Sequence, residues 1–277
     1  MTSYHHRSVD ETHASIGIIG GSGLYRLTGS STSREVVTPF GDPSDSISLS
    51  RIGDSDVAFL PRHGQGHTIP PHRINHRANI WALGSIGVER VIAPSAVGSL
   101  RVDFAPGDVV ICDQFIDHTG GGHHSTFFDG PDVAHATMAD PYCVELRPLA
   151  AQACRVAGFT VHEHGTVVVV PGPRFSTRAE SRRFRAEGGE VINMTQVPEV
   201  VLARELGLCY VNVSLVTDYD VGVEERPEHP AVTQDEVMAI FARHTAALRG
   251  ALEDLVGKVG GQRGCACAEL RAVPLDH

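Results

Sequence analysis

The chain has no surplus of positive charge. Its 23 Lys and Arg stand against 33 Asp and Glu, a formal net charge of −10 over 277 residues. Without a basic stripe it lacks the electrostatic footprint of a nucleic-acid binder or of a protein held on an anionic membrane. A small anionic substrate is still compatible, because a few arginines act locally inside an acidic protein. No apolar run approaches the ~20 residues of a membrane-spanning helix. The opening Met1-Thr-Ser-Tyr-His-His-Arg7 lacks the apolar core of a secretory signal, so a cytoplasmic location is expected. Six cysteines are too few for a secreted disulfide framework in a chain this long. Cys112, Cys143, Cys154 and Cys209 fall in apolar or helical contexts and read as buried thiols. Cys265-Ala-Cys267 lies in a Gly-rich stretch, as a redox-sensitive pair or as two exposed thiols. Sixteen histidines include His72 and His76 at i,i+4 and the adjacent His123 and His124. Pro70-Pro71 disturbs that helix start, and no carboxylate or cysteine completes a ligand set, so no metal is expected. Gly20-Gly-Ser-Gly23 matches neither the P-loop nor the dinucleotide fingerprint.

What is present is an alternation of strands and helices. Apolar runs at residues 15–19, 56–60, 90–93, 108–111, 166–170, 190–192 and 209–216 predict strands. Helical patterns lie between several of them, at 77–86, 146–157, 177–187 and 200–206, with a long final helix from Thr233 to about Val256. Thr177-x-x-Glu180 and Thr233-x-x-Glu236 are capping-box signatures. Buried strands between helices predict an α/β fold, a single domain with a mixed central β-sheet flanked by helices. The expected organisation is a flexible N-terminal tail at 1–14, the domain at 15–257 and a C-terminal tail at 258–277. Residues 118–140, rich in Gly and His, form the one long irregular stretch, too polar to pack as core.

Unusual chemistry gathers just past the strand candidates, where ligands bind in α/β sheets. There stand Ser22 in the Gly-rich turn, Arg62 and His63 with His67 beyond, Ser95-Ala96 and Thr195. Together they read as an oxyanion cradle. Individually, Arg62 also fits a surface ion pair, and Ser95 and Thr195 fit helix caps. Met194 also fits simple core packing. The last strand runs into Thr217-Asp218-Tyr219-Asp220. Residues i and i+2 of an extended segment share a side, so the two carboxylates are expected to face one ligand. Mutual repulsion favours a proton on one of them. Such a pair accepts from an amino group and donates to a ring nitrogen, as an aminopurine requires; a cap or a turn is the plainer alternative.

These stretches, taken in order, resemble the trimeric purine nucleoside phosphorylases, and within them the methylthioadenosine phosphorylases. The resemblance rests on Ile16-Gly-Ile-Ile-Gly-Gly-Ser-Gly23, Pro61-Arg-His-Gly64, Asn79-Ile-Trp-Ala-Leu83, Asp113-Gln-Phe-Ile-Asp117 and Met138-Ala-Asp-Pro141. It continues through Gly172-Pro-Arg-Phe-Ser-Thr-Arg-Ala-Glu-Ser181, Asn193-Met-Thr195, Val197-Pro-Glu-Val200 and Thr217-Asp-Tyr-Asp220. It implies phosphorolysis of a nucleoside, with inorganic phosphate as co-substrate and no organic cofactor. It also implies a homotrimer whose active site takes His135 from a neighbouring subunit. Ser176 and Asp218 stand where the 6-oxopurine enzymes carry Glu and Asn, which implies the adenine-selective branch. By the same resemblance Asp218 protonates N7 and Asp220 holds the amino group, or the reverse. Met194 lies against the ribose, Phe175 near the base and His67 on the phosphate or sugar side, with Thr217 among the substrate contacts. Val237 and Met238 line the 5' pocket, with Gln234 nearby. Other 5'-modified adenosines, or adenosine itself, are the alternative substrates. A hydrolase or a non-catalytic purine binder stands further off.

Overall fold

Apolar runs flanked by helices become one mixed sheet in the computed structural model, which describes residues 13–21, 23–24, 30–120, 125–131, 133–221 and 231–272. In chain order the strands are β1 (Ile16–Gly20), β2 (Thr32–Arg34), β3 (Ile47–Ile52), β4 (Ser55–Pro61), β5 (Arg90–Ser99) and β6 (Val109–Val110). They continue with β7 (Gln114–Asp117), β8 (Val161–His162), β9 (Thr166–Val169), β10 (Val191–Asn193) and β11 (Cys209–Asp218). The helices are α1 (His76–Ser85), α2 (Leu146–Val156), α3 (Arg178–Ala186), α4 (Gln196–Glu205) and α5 (Gln234–Lys258). The main path of the sheet is β2-β3-β4-β1-β5-β10-β9-β7, and β11 branches from β5 to carry β6 and, through it, β8.

Strand β5 is the junction. It pairs in parallel with β1 at residues 90–92 and with β11 from Arg90 to Gly98, then antiparallel with β10 at Gly98 and Ser99. All of β1 and nearly all of β11 are buried, as parallel strands covered on both faces require. Alternation sends Ile19, Val91 and Ala93 to one face, where Ile80 and Leu83 of α1 and Val200 and Leu202 of α4 meet them. Ile18 and Ile92 point to the other, against Leu146 of α2 and Leu248 and Leu252 of α5. Gly20 permits this density at the end of β1. A Cβ there would lie 2.2 Å from the Leu24 carbonyl oxygen and 2.4 Å from Phe59 Cζ.

Both capping boxes form. Thr177 and Thr233 accept from the backbone N–H groups of Glu180 and Glu236, whose carboxylates accept from the two threonine N–H groups in return. Strands β2, β3, β7 and β8 were outside the sequence expectation. β2 and β8 are short and expose or half-expose their side chains, and β7 is half-buried, so none carries a buried run. In β3 only Ile47 and Leu49 alternate with polar residues inside the core.

Two expectations are corrected. Residues 258–272 do not trail away as a tail. After α5 the chain turns back, forms a 3-10 turn at Ala266–Leu270 that buries Cys267, and returns the Ala272 N–H to the Glu205 carbonyl at 2.8 Å. Nor is the 118–140 stretch free of the core. Its described residues form no helix or strand, yet Phe127 is buried against Phe40 and Trp81, with ring centroids at 5.1 and 5.7 Å. Glu205 accepts from Phe127 N–H and the Thr126 hydroxyl, and Arg77 pairs with Asp129. A polar carboxylate staple on α4 thus supplies the anchoring that composition alone did not suggest.

Candidate active site

The carboxyl ends of β1, β4, β5, β10 and β11 converge on a cavity of about 370 Å³. Of the residues expected there, Arg62, His63, His67, Ser95, Ala96 and Thr195 all line it. So do Phe175, Ser176, Met194, Thr217, Asp218, Asp220, Val237 and Met238. Ser22, and the histidines at 123 and 124, lie outside the described residues. His135 is exposed and does not line the cavity of its own chain.

Arg62 follows β4 and is 1% exposed, so it is not the partner of a surface ion pair. Its Nε and Nη2 donate to the two carboxylate oxygens of Glu199 at 2.7 and 2.8 Å, and Nη1 donates to Pro94 O at 3.1 Å. Burial alone would raise the Glu199 carboxyl, but the facing guanidinium overrides it and holds the group down at about 2. Tyr210 adds a hydroxyl donor to Glu199 at 2.7 Å. The pair is thus a fixed charged mount for Arg62 at the cavity wall, and Gly21 leaves the approach open: a Cβ there would come within 3.0 Å of Nη1. Glu199 lies in the Val197-Pro-Glu-Val200 stretch of the resemblance, but its role had no local signal, because its partner is 137 residues away.

His63 donates or accepts through Nδ1 at 2.9 Å from the Ile69 carbonyl, and a carbonyl only accepts, so Nδ1 carries the proton. Burial, reinforced by the Arg62 charge, lowers the ring to about 4. The neutral ring therefore presents Nε2 as an acceptor, suited to a protonated phosphate oxygen. His67 stacks on it with centroids at 4.2 Å and holds φ +59, a left-handed backbone uncommon outside glycine. Ser95 donates to Asn212 Oδ1 at 3.1 Å inside β5 rather than capping a helix. Thr195 occupies the N-cap position of α4 but makes no side-chain cap bond, which leaves its buried hydroxyl available to the cavity. Asn193, not singled out from the sequence, also lines the cavity, and its buried Nδ2 has no partner among the described residues.

The two aspartates reach the cavity by a route different from strand alternation. Register shifts between Val216 and Asp218, β11 ends at Asp218, and Asp220 sits in a turn with φ +51. The bulge and the turn, not the pleat, bring the carboxylates to one side. Asp218 accepts from Thr217 Oγ1 and from the Asp220 N–H, each at 2.7 Å. Burial nevertheless raises its carboxyl to about 7. Asp220 is also raised, chiefly by burial; Ser181 and Ser176 hydrogen bond it, while Oδ2 has no partner among the described residues. Gly98 of β5 makes room for both: a Cβ there would stand 2.8 Å from Asp218 Oδ1. The result is one carboxyl raised to about 7 beside a second whose Oδ2 has no partner among the described residues, an arrangement able to donate a proton and accept a hydrogen bond. Gln234, the first residue of α5, joins Val237 and Met238 along the cavity.

Known proteins share this arrangement of chain. A Thermofilum pendens protein named S-methyl-5'-thioadenosine phosphorylase is 51% identical over 255 residues, 91% of this chain and 95% of that one. A Streptomyces coelicolor protein named purine nucleoside phosphorylase is 47% identical over 268 residues, covering 93% and 94% of the two chains. The structure of methylthioadenosine phosphorylase from Schistosoma mansoni in complex with adenine superposes with a TM-score of 0.82 at 39% identity, covering 90% of this chain and 93% of that one. The family model described as the phosphorylase superfamily matches residues 15–256, and with that span the chain belongs to the phosphorylase superfamily.

Proposed function

We propose that this chain catalyses the phosphorolysis of 5'-methylthioadenosine to adenine and 5-methylthioribose 1-phosphate. The observation that carries the reading is the acid–acceptor pair: Asp218, raised to about 7, beside the Oδ2 of Asp220, which has no partner among the described residues. A phosphate oxygen attacks C1' while the C1'–N9 bond breaks and its electrons pass into the purine. Asp218 protonates N7 as charge builds there, and Asp220 accepts from the 6-amino group. Arg62, His63, Ser95, Ala96 and Thr195, with Ser22, hold the phosphate, whose charge stabilises the cationic sugar of the transition state. Met194 packs on the ribose, His67 borders the sugar and phosphate, and Phe175, Ser176 and Thr217 surround the base. Phosphate is a co-substrate, and no step in this scheme calls on a metal or an organic cofactor. The proposed setting is a cytoplasmic homotrimer; among the described residues no helix is long and apolar enough to cross a membrane.

The 5' end decides the substrate. Val237 and Met238 offer an apolar wall, and methionine adapts to a thioether. One small apolar group in such a pocket is worth roughly 1–3 kcal/mol of discrimination. We expect kcat/KM for methylthioadenosine to exceed that for adenosine by ~10-fold or more when base release is followed in phosphate buffer. Gln234 in the same wall favours the second reading, a phosphorylase that takes the 5'-hydroxyl equally well. Equal or better use of adenosine would establish it. Base release that persists without phosphate would point to a hydrolase instead.

His135 provides the test of assembly. If it completes a neighbour's site, His135→Ala weakens the nucleoside while leaving the trimer intact by light scattering. A fully active monomer would rule out the shared site.

A further inference from the structure

Far from the cavity, four of the six cysteines come together. The Sγ atoms of Cys143, Cys209, Cys265 and Cys267 all lie within 4.8 Å of one another, and all four thiols are free. The Cys209 and Cys265 sulfurs are 3.3 Å apart. Four thiolates around one zinc ion at ~2.3 Å define a tetrahedron with edges of about 3.8 Å, inside the range observed here. The sequence expectation had scattered these residues between core and tail; the returning C-terminal segment unites them. We propose that this cluster is a structural zinc site, with Cys143, Cys209, Cys265 and Cys267 as its four ligands.

Each ligand is held by backbone independent of the sulfur. Cys143 precedes α2, and its N–H donates to Tyr210 O of β11 at 2.9 Å. Cys209 opens β11, with its N–H on Glu89 O at 2.9 Å. Cys265 and Cys267 flank Ala266 at the start of the 3-10 turn. Three of the four are buried and Cys265 is partly exposed, which leaves an entry path. A tetrathiolate zinc carries a net charge of −2, and a buried cation is in place to offset it: Arg204 Nη1 donates to Cys267 Sγ at 3.7 Å. The Leu146 N–H, at the start of α2, hydrogen bonds the Cys143 sulfur. Zinc entry displaces the thiol protons of its ligands. A closed set of four sulfurs suits a structural ion rather than a catalytic one. Its place agrees: Cys209 and Asp218 are the two ends of β11, about 30 Å apart at the rise of a strand. What the ion would clamp is the segment after α5, of whose described residues only Val259 and Cys267 join the buried apolar core.

The full chain, produced with zinc in the medium and purified without chelator or reductant under nitrogen, is to be analysed for metal and for thiols. About one zinc per chain is expected, with four sulfur neighbours at ~2.3 Å in X-ray absorption. All six cysteines should titrate as thiols in denaturant with chelator. The Cys265→Ser/Cys267→Ser variant should lose the zinc and lower the unfolding midpoint by about 4 °C or more, with kcat/KM within about twofold of the parent. Wild-type protein without zinc but with six intact thiols would overturn the proposal, as would four missing thiols, the sign of two disulfides. Nitrogen or oxygen neighbours around the metal would overturn it too. If the variant does not fold, the wild-type metal content and absorption spectrum decide alone.

Discussion

Asp218→Asn lowers kcat/KM for adenine nucleosides by about 10²-fold or more, the range of a positioned general acid. The substitution keeps the shape and one acceptor oxygen, enough for the Asp220 N–H, but puts an amide NH2 where the second oxygen faced Thr217 Oγ1 and removes the transferable proton. The wild-type pH profile carries the same signature. Burial raises this carboxyl, so its proton is held below about pH 7 and lost above it. At constant phosphate dianion, kcat/KM should fall as pH rises through about 7, and the Asn variant should lose that limb. Near-parental turnover by Asp218→Asn, or an unchanged limb, would remove Asp218 from the acid role and leave Asp220 as the candidate.

Arg62→Ala has two effects of different origin. It removes the guanidinium charge from the wall of the phosphate site, and a charge-assisted interaction of roughly 1.5–3 kcal/mol implies a ~10- to 100-fold weaker apparent phosphate affinity with little change for the nucleoside. It also leaves Glu199 charged and buried without its partner, a loss of ~3–5 kcal/mol in stability. The paired variant Arg62→Met/Glu199→Gln separates the two: it should recover stability in denaturant melts and remain defective for phosphate. Unchanged phosphate affinity in the stable pair would make Arg62 purely structural. The ion pair also sets an acid limit. Glu199 is lowered from 4.5 to about 2, so its contribution is complete above the ordinary glutamate range and is lost as pH falls from there through about 2.

The contrast between these two sites shows what a sequence makes legible. Asp218, Asp220, Arg62 and Thr195 were visible because each stands where an apolar run stops, and ligands gather at such ends. The capping boxes at Thr177 and Thr233 were visible because their logic is contained in four residues. The physical route of Asp220 was not, since a bulge and a left-handed turn leave no periodic mark. Glu199 and Asn193 were missed for a related reason. One acts through a partner 137 residues away, and the other through an amide whose surroundings only the folded chain defines. Short strands such as β8, with two residues, carry too little pattern to register against turns. The four sulfurs are the extreme case: spacings from two to more than fifty residues met only when the C-terminal segment folded back.

The junction at β5 bears on how activity is lost on heating. Its amides are shared among ladders to β1, β10 and β11, and it presents Ser95, Ala96 and Gly98 to the cavity. Amides in such a strand are released to solvent only when the whole domain opens, so hydrogen exchange at residues 91–98 should be among the slowest in the chain. The floor of the site therefore has no softer intermediate in which it could distort by itself. Activity lost on heating before the sheet comes apart should then be lost at the subunit contacts or at the loop and helix walls of the cavity, not at its floor.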